Sequence, residues 1–359
     1  MKVKVSKIKT TSHCLLGILS ILWFLSSCSS YRKGADAVVN KNVRNYLKGN
    51  STPGAAIGVI YQGRELYYNY GNIGDGKTKI AKDTLFVLCS VQKTFTGTLF
   101  GEQIAKGNIT LDKPIGPILG VSKKSALQNI SGKALATYTS GMKDSYCYKL
   151  QKLSPGYELY RNLPPADSTY YVWNHDLCKP NIPKYKYSNF GMVTLGFAVA
   201  NSSKFGNYMP LFKEVIKDPL GMKNTVIDIG QYPESLIAIG HNKSGNPIPN
   251  SSRGSGFSST SYDMLQFLKA NLFMKPVSKT LSEGMKLAQK KMTEKNGLAW
   301  FIENGIIFKD GDNEGFSNFI VFDPTEKIAV VILTNGKPPK GQEPLKSVAS
   351  KIIKELKSL

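Results

Sequence analysis

Strand-like runs crowd the two ends of this chain and are scarce between them, which constrains the fold more than any other feature. Near the start, Ala35 to Leu47 reads as a helix. Beyond a Pro53-Gly54 break come Ala55 to Tyr61 and Glu65 to Tyr70, joined through Gln62-Gly63-Arg64, which is the pattern of a hairpin. At the far end, Ala299 to Glu303, Ile306 to Lys309, Asn318 to Phe322 and Ile328 to Thr334 are strand-like, and Leu345 to Leu356 is an amphipathic helix. The middle, from about Leu111 to Leu272, carries short apolar segments such as Gly191 to Ala200 and Met264 to Leu272 between Pro, Gly and Asn clusters. Strands at both ends around a helical middle predict an α/β fold with one sheet layer and a mostly helical region inserted into it. Ligands are expected in the seam.

The first residues have a separate purpose. Lys2, Lys4, Lys7 and Lys9 precede an apolar run from Cys14 to Leu25, and the run ends in Leu25-Ser26-Ser27-Cys28. This is the charge, apolar and small-residue order of an export signal, and the run is shorter than the ~20 residues of a spanning helix. The Leu-Ser-Ser-Cys ending resembles a bacterial lipobox. That resemblance implies lipidation of Cys28, which two or three acyl chains would make a stable membrane anchor. Ser29 after it leans toward the outer membrane facing the periplasm. An ordinary signal with a coincidental cysteine is the other reading.

Loss of Lys2, Lys4, Lys7 and Lys9 lowers the formal net charge from +22 to +18. Such an excess suits an anionic neighbour, in an envelope either lipid or wall polymer. The basic residues are scattered and carry no nucleic-acid-binding signature, so no nucleic-acid partner is expected. Cys89, Cys147 and Cys178 remain after Cys28 and show no metal-ligand spacing. Cys147 could pair with Cys178, and Cys89 reads as a buried thiol. No cofactor is implied, and oligomeric state is not legible.

The chemistry-bearing question concerns Ser90 and Lys93 in "LFVLCSVQKTFTG". Ser-x-x-Lys also occurs at Ser6/Lys9, Ser30/Lys33 and Ser140/Lys143, so spacing alone decides nothing. Only Ser90 opens a helical pattern, through Phe95, Leu99 and Ile104 to Gly107. A serine there can be a plain helix cap. It can also be a nucleophile, because residues three apart share a helix face and a lysine with a lowered pKa can serve as its base.

"TLFVLCSVQKTFTGTLFGEQIAKGNITLDKPI" resembles the nucleophile segment of the serine β-lactamase and penicillin-recognising family, in its class C β-lactamase and D-alanyl-D-alanine carboxypeptidase/esterase branch. The likeness continues in order through "LATYTSGM", "YKYSNFGMVTLG", "GFSSTSYDMLQFL" and "KDGDNEGFSNFIVFDPTEKIAVVILTN". It covers Ala35 to the C-terminus and implies a β-lactamase/transpeptidase-like fold, with an antiparallel sheet flanked by helices.

By this resemblance Ser90 is the nucleophile, and Tyr187 of Tyr187-Ser188-Asn189 relays protons with Lys93. Asn189 orients Lys93 and the substrate amide. Tyr-x-Asn also occurs at Tyr67/Asn69, Tyr70/Asn72 and Tyr160/Asn162, but none of these precedes a matching helix. The basic triplet of the family is matched by Lys309-Asp310-Gly311. Lys243-Ser244-Gly245 looks closer in letters but sits in a polar loop unsuited to a strand. Backbone amides of Ser90 and Asp312 would form the oxyanion hole.

Three positions depart from the family pattern: Asp310 replaces a hydroxyl residue, Cys89 a Gly or Ala, and Tyr146 a side-chain amide. Asp310 matters most, since a like charge ~4 Å from a substrate carboxylate costs up to ~4 kcal/mol at an effective dielectric near 20. The expectation is therefore a lipid-anchored envelope serine hydrolase acting through an acyl-enzyme on an ester or amide. Its substrate would be a small molecule or a peptidoglycan-related compound. The alternatives are a β-lactamase or D-alanyl-D-alanine carboxypeptidase proper, and a non-catalytic lipid-tethered binding protein. In this reading residues 1–27 are the signal, 28–34 a tether and 35–359 the hydrolase domain. The sheet layer comes from about 35–110 and 273–359, and the helical region is about 111–272.

Overall fold

The computed structural model describes residues 32–48, 52–142, 159, 185–252, 256–338, 341 and 343–359. Cys28, Tyr146, Cys147 and Cys178 lie outside them.

The Ala55-to-Tyr61 run forms β1 (Gly54–Tyr61), buried along its whole length, and it turns into β2 (Arg64–Gly71) with Tyr61 opposite Arg64. Neighbouring residues of β1 supply opposite faces. Ala55, Ile57, Val59 and Tyr61 face one apolar cluster, and Ala56 and Ile60 face another. A strand buried on both sides must read as a continuous apolar run, and this one does.

From the C-terminal part of the chain, β5 (Phe301–Glu303), β6 (Ile306–Asp312), β7 (Ser317–Asp323) and β8 (Ile328–Thr334) complete a six-stranded antiparallel sheet in the order β2-β1-β8-β7-β6-β5. Pairing of β1 with β8 joins the two ends of the chain. The predicted sheet sewn from both termini is thus present.

Two helices cover one face of the sheet. The helix over 32–48, α1, places Ala35, Val38, Val39, Val43 and Tyr46 against it, and the C-terminal helix (Leu345–Lys357) adds Leu345, Val348, Ile352 and Leu356. Apolar residues three or four apart in each helix make a stripe of the width one sheet face can bury. On the other face lie α2 (Lys93–Ala105), α3 (Asn189–Ser202), α4 (Ser261–Asn271) and α5 (Lys279–Ala288), and the C-terminal helix is α6. Both α2 and α3 are buried nearly all round, which explains their lack of a clear polar stripe.

Two-residue strands β3 (Phe86–Val87) and β4 (Ser258–Ser259) form a second, small sheet just ahead of α2. No helix among the described residues is long and apolar enough to cross a membrane.

Candidate active site

Ser90 does not cap α2. It sits inside a 3-10 turn, Cys89–Gln92, and α2 begins at Lys93 with no side-chain cap bond from Gln92. The turn is sharp because Cys89 has φ of 52°, a left-handed conformation uncommon outside glycine. Surrounding bonds hold it there. Leu88 N–H donates to the Phe257 carbonyl at 2.9 Å, and the Phe257 N–H donates to Gln92 Oε1 at 2.8 Å. Asn318 of β7 donates through Nδ2 to the Val87 carbonyl at 2.7 Å and accepts from Thr334 N–H at 3.2 Å. Burial pushes the Cys89 thiol up to about 12.

The turn aims Ser90 at Lys93. Lys93 Nζ donates to Ser90 Oγ at 2.9 Å, and the lysine is 7% exposed. Ser90 Oγ therefore accepts from Lys93 and keeps its own proton for another acceptor. Tyr187 stands on the far side, with Lys93 Nζ 5.2 Å and Lys309 Nζ 5.4 Å from its ring centroid. Two lysine side chains thus approach one phenol. The Tyr187 oxygen is buried and closes no hydrogen bond of full geometry among the described residues. Burial pushes the phenol above its ordinary value, while the Ser90 hydroxyl acts in the opposite direction and Asp310 adds to the rise. At neutral pH the resting group is a protonated phenol.

The next two residues of the chain fix Tyr187 in place. Ser188 caps α3 by accepting the Gly191 N–H at 2.9 Å, and Asn189 opens that helix. The predicted Tyr-x-Asn element is therefore a helix entrance facing the Ser-x-x-Lys turn.

β6 brings the third element. Lys309 is 1% exposed, and its Nζ donates to Asp310 Oδ1 at 2.7 Å and to the Asp310 carbonyl at 2.9 Å. Burial pulls the Lys309 ammonium down and the Asp310 carboxylate limits the fall. Burial also works to raise the Asp310 carboxyl, but Lys309 outweighs it and leaves Asp310 below the usual range. Gly311 then passes against the nucleophile turn. A Cβ there would lie 2.5 Å from the Leu88 carbonyl oxygen and 3.0 Å from Ser90 N, so only glycine lets the strand approach. This contact sets the Ser90 amide beside the Gly311-Asp312 backbone.

β5 pairs with Ile306 to Phe308 only, so the edge of β6 from Lys309 to Asp312 has no strand partner on that side among the described residues. A cavity of about 870 Å³ adjoins this edge, lined by Asp310, Asp312, Tyr185, Phe301, Phe308 and Lys346 among others. Its walls do not include Ser90, so it neighbours the nucleophile without enclosing it.

The structure thus brings together Ser90, Lys93, Tyr187, Lys309, Asp310 and Gly311. Lys243-Ser244-Gly245 lies elsewhere, in an exposed turn where Ser244 N–H donates to Asn242 Oδ1 at 2.9 Å. Gln92, Asn318 and Tyr138, which no sequence pattern singles out, hold or pack against the site. All three fall inside or beside the blocks that carry the resemblance.

A family model described as Beta-lactamase matches residues 39–351. The chain belongs to the Beta-lactamase family. A Beta-lactamase of Psychrobacter immobilis is 26% identical over 385 residues, covering 92% of this chain and 93% of the relative. That of Escherichia coli (strain K12) is 26% identical over 371 residues, covering 89% and 94%, and that of Pseudomonas fluorescens 25% over 353 residues, covering 85% and 94%. Membership makes the chain a serine hydrolase of the acyl-enzyme type with an α/β fold.

Proposed function

We propose that this protein is an envelope serine hydrolase that acylates Ser90 and prefers esters or amides without a carboxylate beside the scissile bond. The observation that carries the reading is the constellation of Lys93 donating to Ser90 at 2.9 Å with Tyr187 approached by the Lys93 and Lys309 side chains.

Ser90 Oγ attacks the carbonyl carbon, and its proton moves to the Tyr187 oxygen in the place of the proton which that oxygen gives up. Tyr187 passes its own phenolic proton to the leaving group. The bond from carbonyl carbon to leaving group breaks, an acyl group stays on Ser90, and Tyr187 ends as it began. Amides of Ser90 and Asp312 are the donors proposed for the tetrahedral oxyanion, and losing one such donor costs ~10²–10³ in rate. Water then repeats the sequence from the other side, with Tyr187 taking its proton and Ser90 regaining its own.

Substrate preference derives from Lys309. Two of its three N–H donors are already used by Asp310, so little of its charge is left for a substrate anion. The Asp310 carboxylate, 51% exposed, adds repulsion.

Labelling with a fluorophosphonate and with a fluorescent penicillin tests the reading, with the adduct mapped by mass spectrometry. One adduct on the Ser90 peptide, absent from Ser90→Ala, is expected. Labelling that survives the substitution and maps to another serine overturns it. The names of the relatives favour a second reading, β-lactam hydrolysis proper, and rapid turnover of a chromogenic cephalosporin would put it first. A penicillin adduct that never turns over, together with no ester hydrolysis, would support the binding-protein alternative.

The envelope location rests on the Leu25-Ser26-Ser27-Cys28 sequence alone. Cys28→Ala should abolish incorporation of a labelled fatty acid and the membrane attachment that depends on it. A mature chain that starts beyond Cys28 and fractionates as soluble would remove this part.

A further inference from the structure

Tyr138 is the largest side chain next to the site that the proposed reaction leaves unused. It is 1% exposed, and its φ of 61° is left-handed, a conformation that costs a tyrosine about 1–3 kcal/mol and that the surroundings must hold in place. They do so from both sides. Its carbonyl accepts the Lys186 N–H at 2.8 Å, which ties its backbone to the residue before Tyr187. Its ring stacks on that of Tyr187, with centroids 4.6 Å apart and planes 27° apart, and the Phe301 ring lies near it at 6.4 Å and 28°.

The hydroxyl at the end of this clamped ring is buried and closes no hydrogen bond of full geometry among the described residues, as is also true of the Tyr187 hydroxyl. A buried orphan hydroxyl lowers stability, and two on stacked neighbours call for an explanation. For Tyr187 the Ser90 hydroxyl is the first hydrogen-bonding neighbour and the Tyr138 hydroxyl the second, and for Tyr138 the neighbouring hydroxyl is that of Tyr187. Burial raises Tyr187 most, the Ser90 hydroxyl lowers it, Asp310 raises it, and the Tyr138 hydroxyl then acts in the lowering direction, as a donor to the ionised oxygen would.

We propose that Tyr138 is a positioning residue for the reaction, whose hydroxyl donates to the Tyr187 oxygen as that oxygen takes on negative charge during proton relay. The inference rests on the reading of Ser90 and Tyr187 given above. In the resting enzyme the hydrogen bond is not closed, as is common for catalytic contacts before substrate is bound. As Tyr187 hands its proton to the leaving group ahead of receiving the one from Ser90, its buried oxygen carries negative charge. Lys93 and Lys309 place their Nζ atoms 5.2 and 5.4 Å from the centroid of the Tyr187 ring. Tyr138 supplies a neutral donor in the phenol layer itself, and because it carries no charge it does not hold the resting phenol ionised.

Tyr138→Phe keeps the stacked ring and removes only the hydroxyl. For labelling of Ser90 by a fluorophosphonate, the maximal rate should fall about ten- to hundredfold, the range for losing a hydrogen bond to a charged group, while the half-saturating concentration stays within about threefold. The thermal unfolding midpoint should stay level or rise, since an unsatisfied hydroxyl has gone. In a Tyr187→Phe background the same change should alter the rate by less than about twofold, because there is no phenol oxygen left to serve. A Tyr138→Phe enzyme with wild-type rate, or one with an equal loss in both backgrounds, overturns the inference and leaves the role of Ser90 intact. A loss of rate matched by a lower unfolding midpoint and a weaker half-saturating concentration reduces Tyr138 to packing. If wild-type Ser90 is not labelled at all, the proposed function falls first and this inference with it.

Discussion

The Lys309 ammonium is held by its immediate neighbour in the chain, donating to Asp310 Oδ1 at 2.7 Å and to the Asp310 carbonyl at 2.9 Å. A cation placed by its strand to meet a substrate is satisfied from within its own strand. The carboxylate that other substrates would bring is already present as a side chain.

Asp310→Thr should therefore raise kcat/KM for a cephalosporin or a D-alanyl-D-alanine peptide. Water on the half-exposed carboxylate and the charge of Lys309 both screen its field, so the gain should be ~1–2 kcal/mol, or roughly five- to thirtyfold. A neutral short-chain ester should change by no more than a few fold. Equal changes for both substrates would show that Asp310 does not face the bound carboxylate.

Gly311→Ala should damage both folding and chemistry. The new methyl meets the Leu88 carbonyl oxygen at 2.5 Å and Ser90 N at 3.0 Å, and these are backbone atoms that no rotamer change can move aside. Overpacking of this kind costs ~1–3 kcal/mol. A denaturant titration should show that loss, and fluorophosphonate labelling of Ser90 should slow by more than about tenfold. Normal labelling in a destabilised variant would mean that the turn shifts as a unit with the strand.

The pH dependence of stability can be checked at Asp263, on the first turn of α4, far from the chemistry. Its carboxylate accepts from Thr225 Oγ1 at 2.9 Å and from Asn224 N–H at 2.7 Å, yet burial outweighs these bonds and raises the carboxyl to about 6. A raised folded value means the protein binds this proton more tightly than the unfolded chain does. The associated stability is present in full below the unfolded value near 4 and is lost as pH rises through about 6. Wild type should thus lose up to ~3 kcal/mol relative to Asp263→Asn between pH 4 and pH 7. Parallel stability curves for the two proteins would show that Asp263 titrates normally.

The sequence announces some parts of this molecule and hides others for physical reasons. The run from Ile328 to Thr334 is legible from end to end because a strand buried on both faces can only be apolar. β6 runs three residues beyond its apolar stretch, since Asp310-Gly311-Asp312 stays extended by pairing with Phe319, Asn318 and Ser317, and no local preference of those residues signals it. Ser90 reads as a helix start because Lys93 onward is helical. The 3-10 turn before it depends on bonds from Phe257 and Asn318, which are 167 and 228 residues downstream. The quartet of Ser90, Lys93, Tyr187 and Lys309 is legible through the ordered blocks. Tyr138 is not, because its significance lies in a stacked partner and a missing hydrogen bond, neither of which has a letter pattern.

The unpaired edge of β6 has a consequence for the protein in a crowd. An open strand edge is a template on which a second copy can add, and native sheets guard such edges with charge. Here Asp310 and Asp312, both exposed and two residues apart, share one face of the open stretch that begins where β5 has ended. Two copies meeting edge to edge in antiparallel fashion would set these carboxylates against each other, and like charges facing across a strand pair are unfavourable. Asp310, which selects the substrate, would thus together with Asp312 also keep the sheet from growing into its neighbour, so a variant neutral at both positions should be judged by its solubility as well as by its turnover.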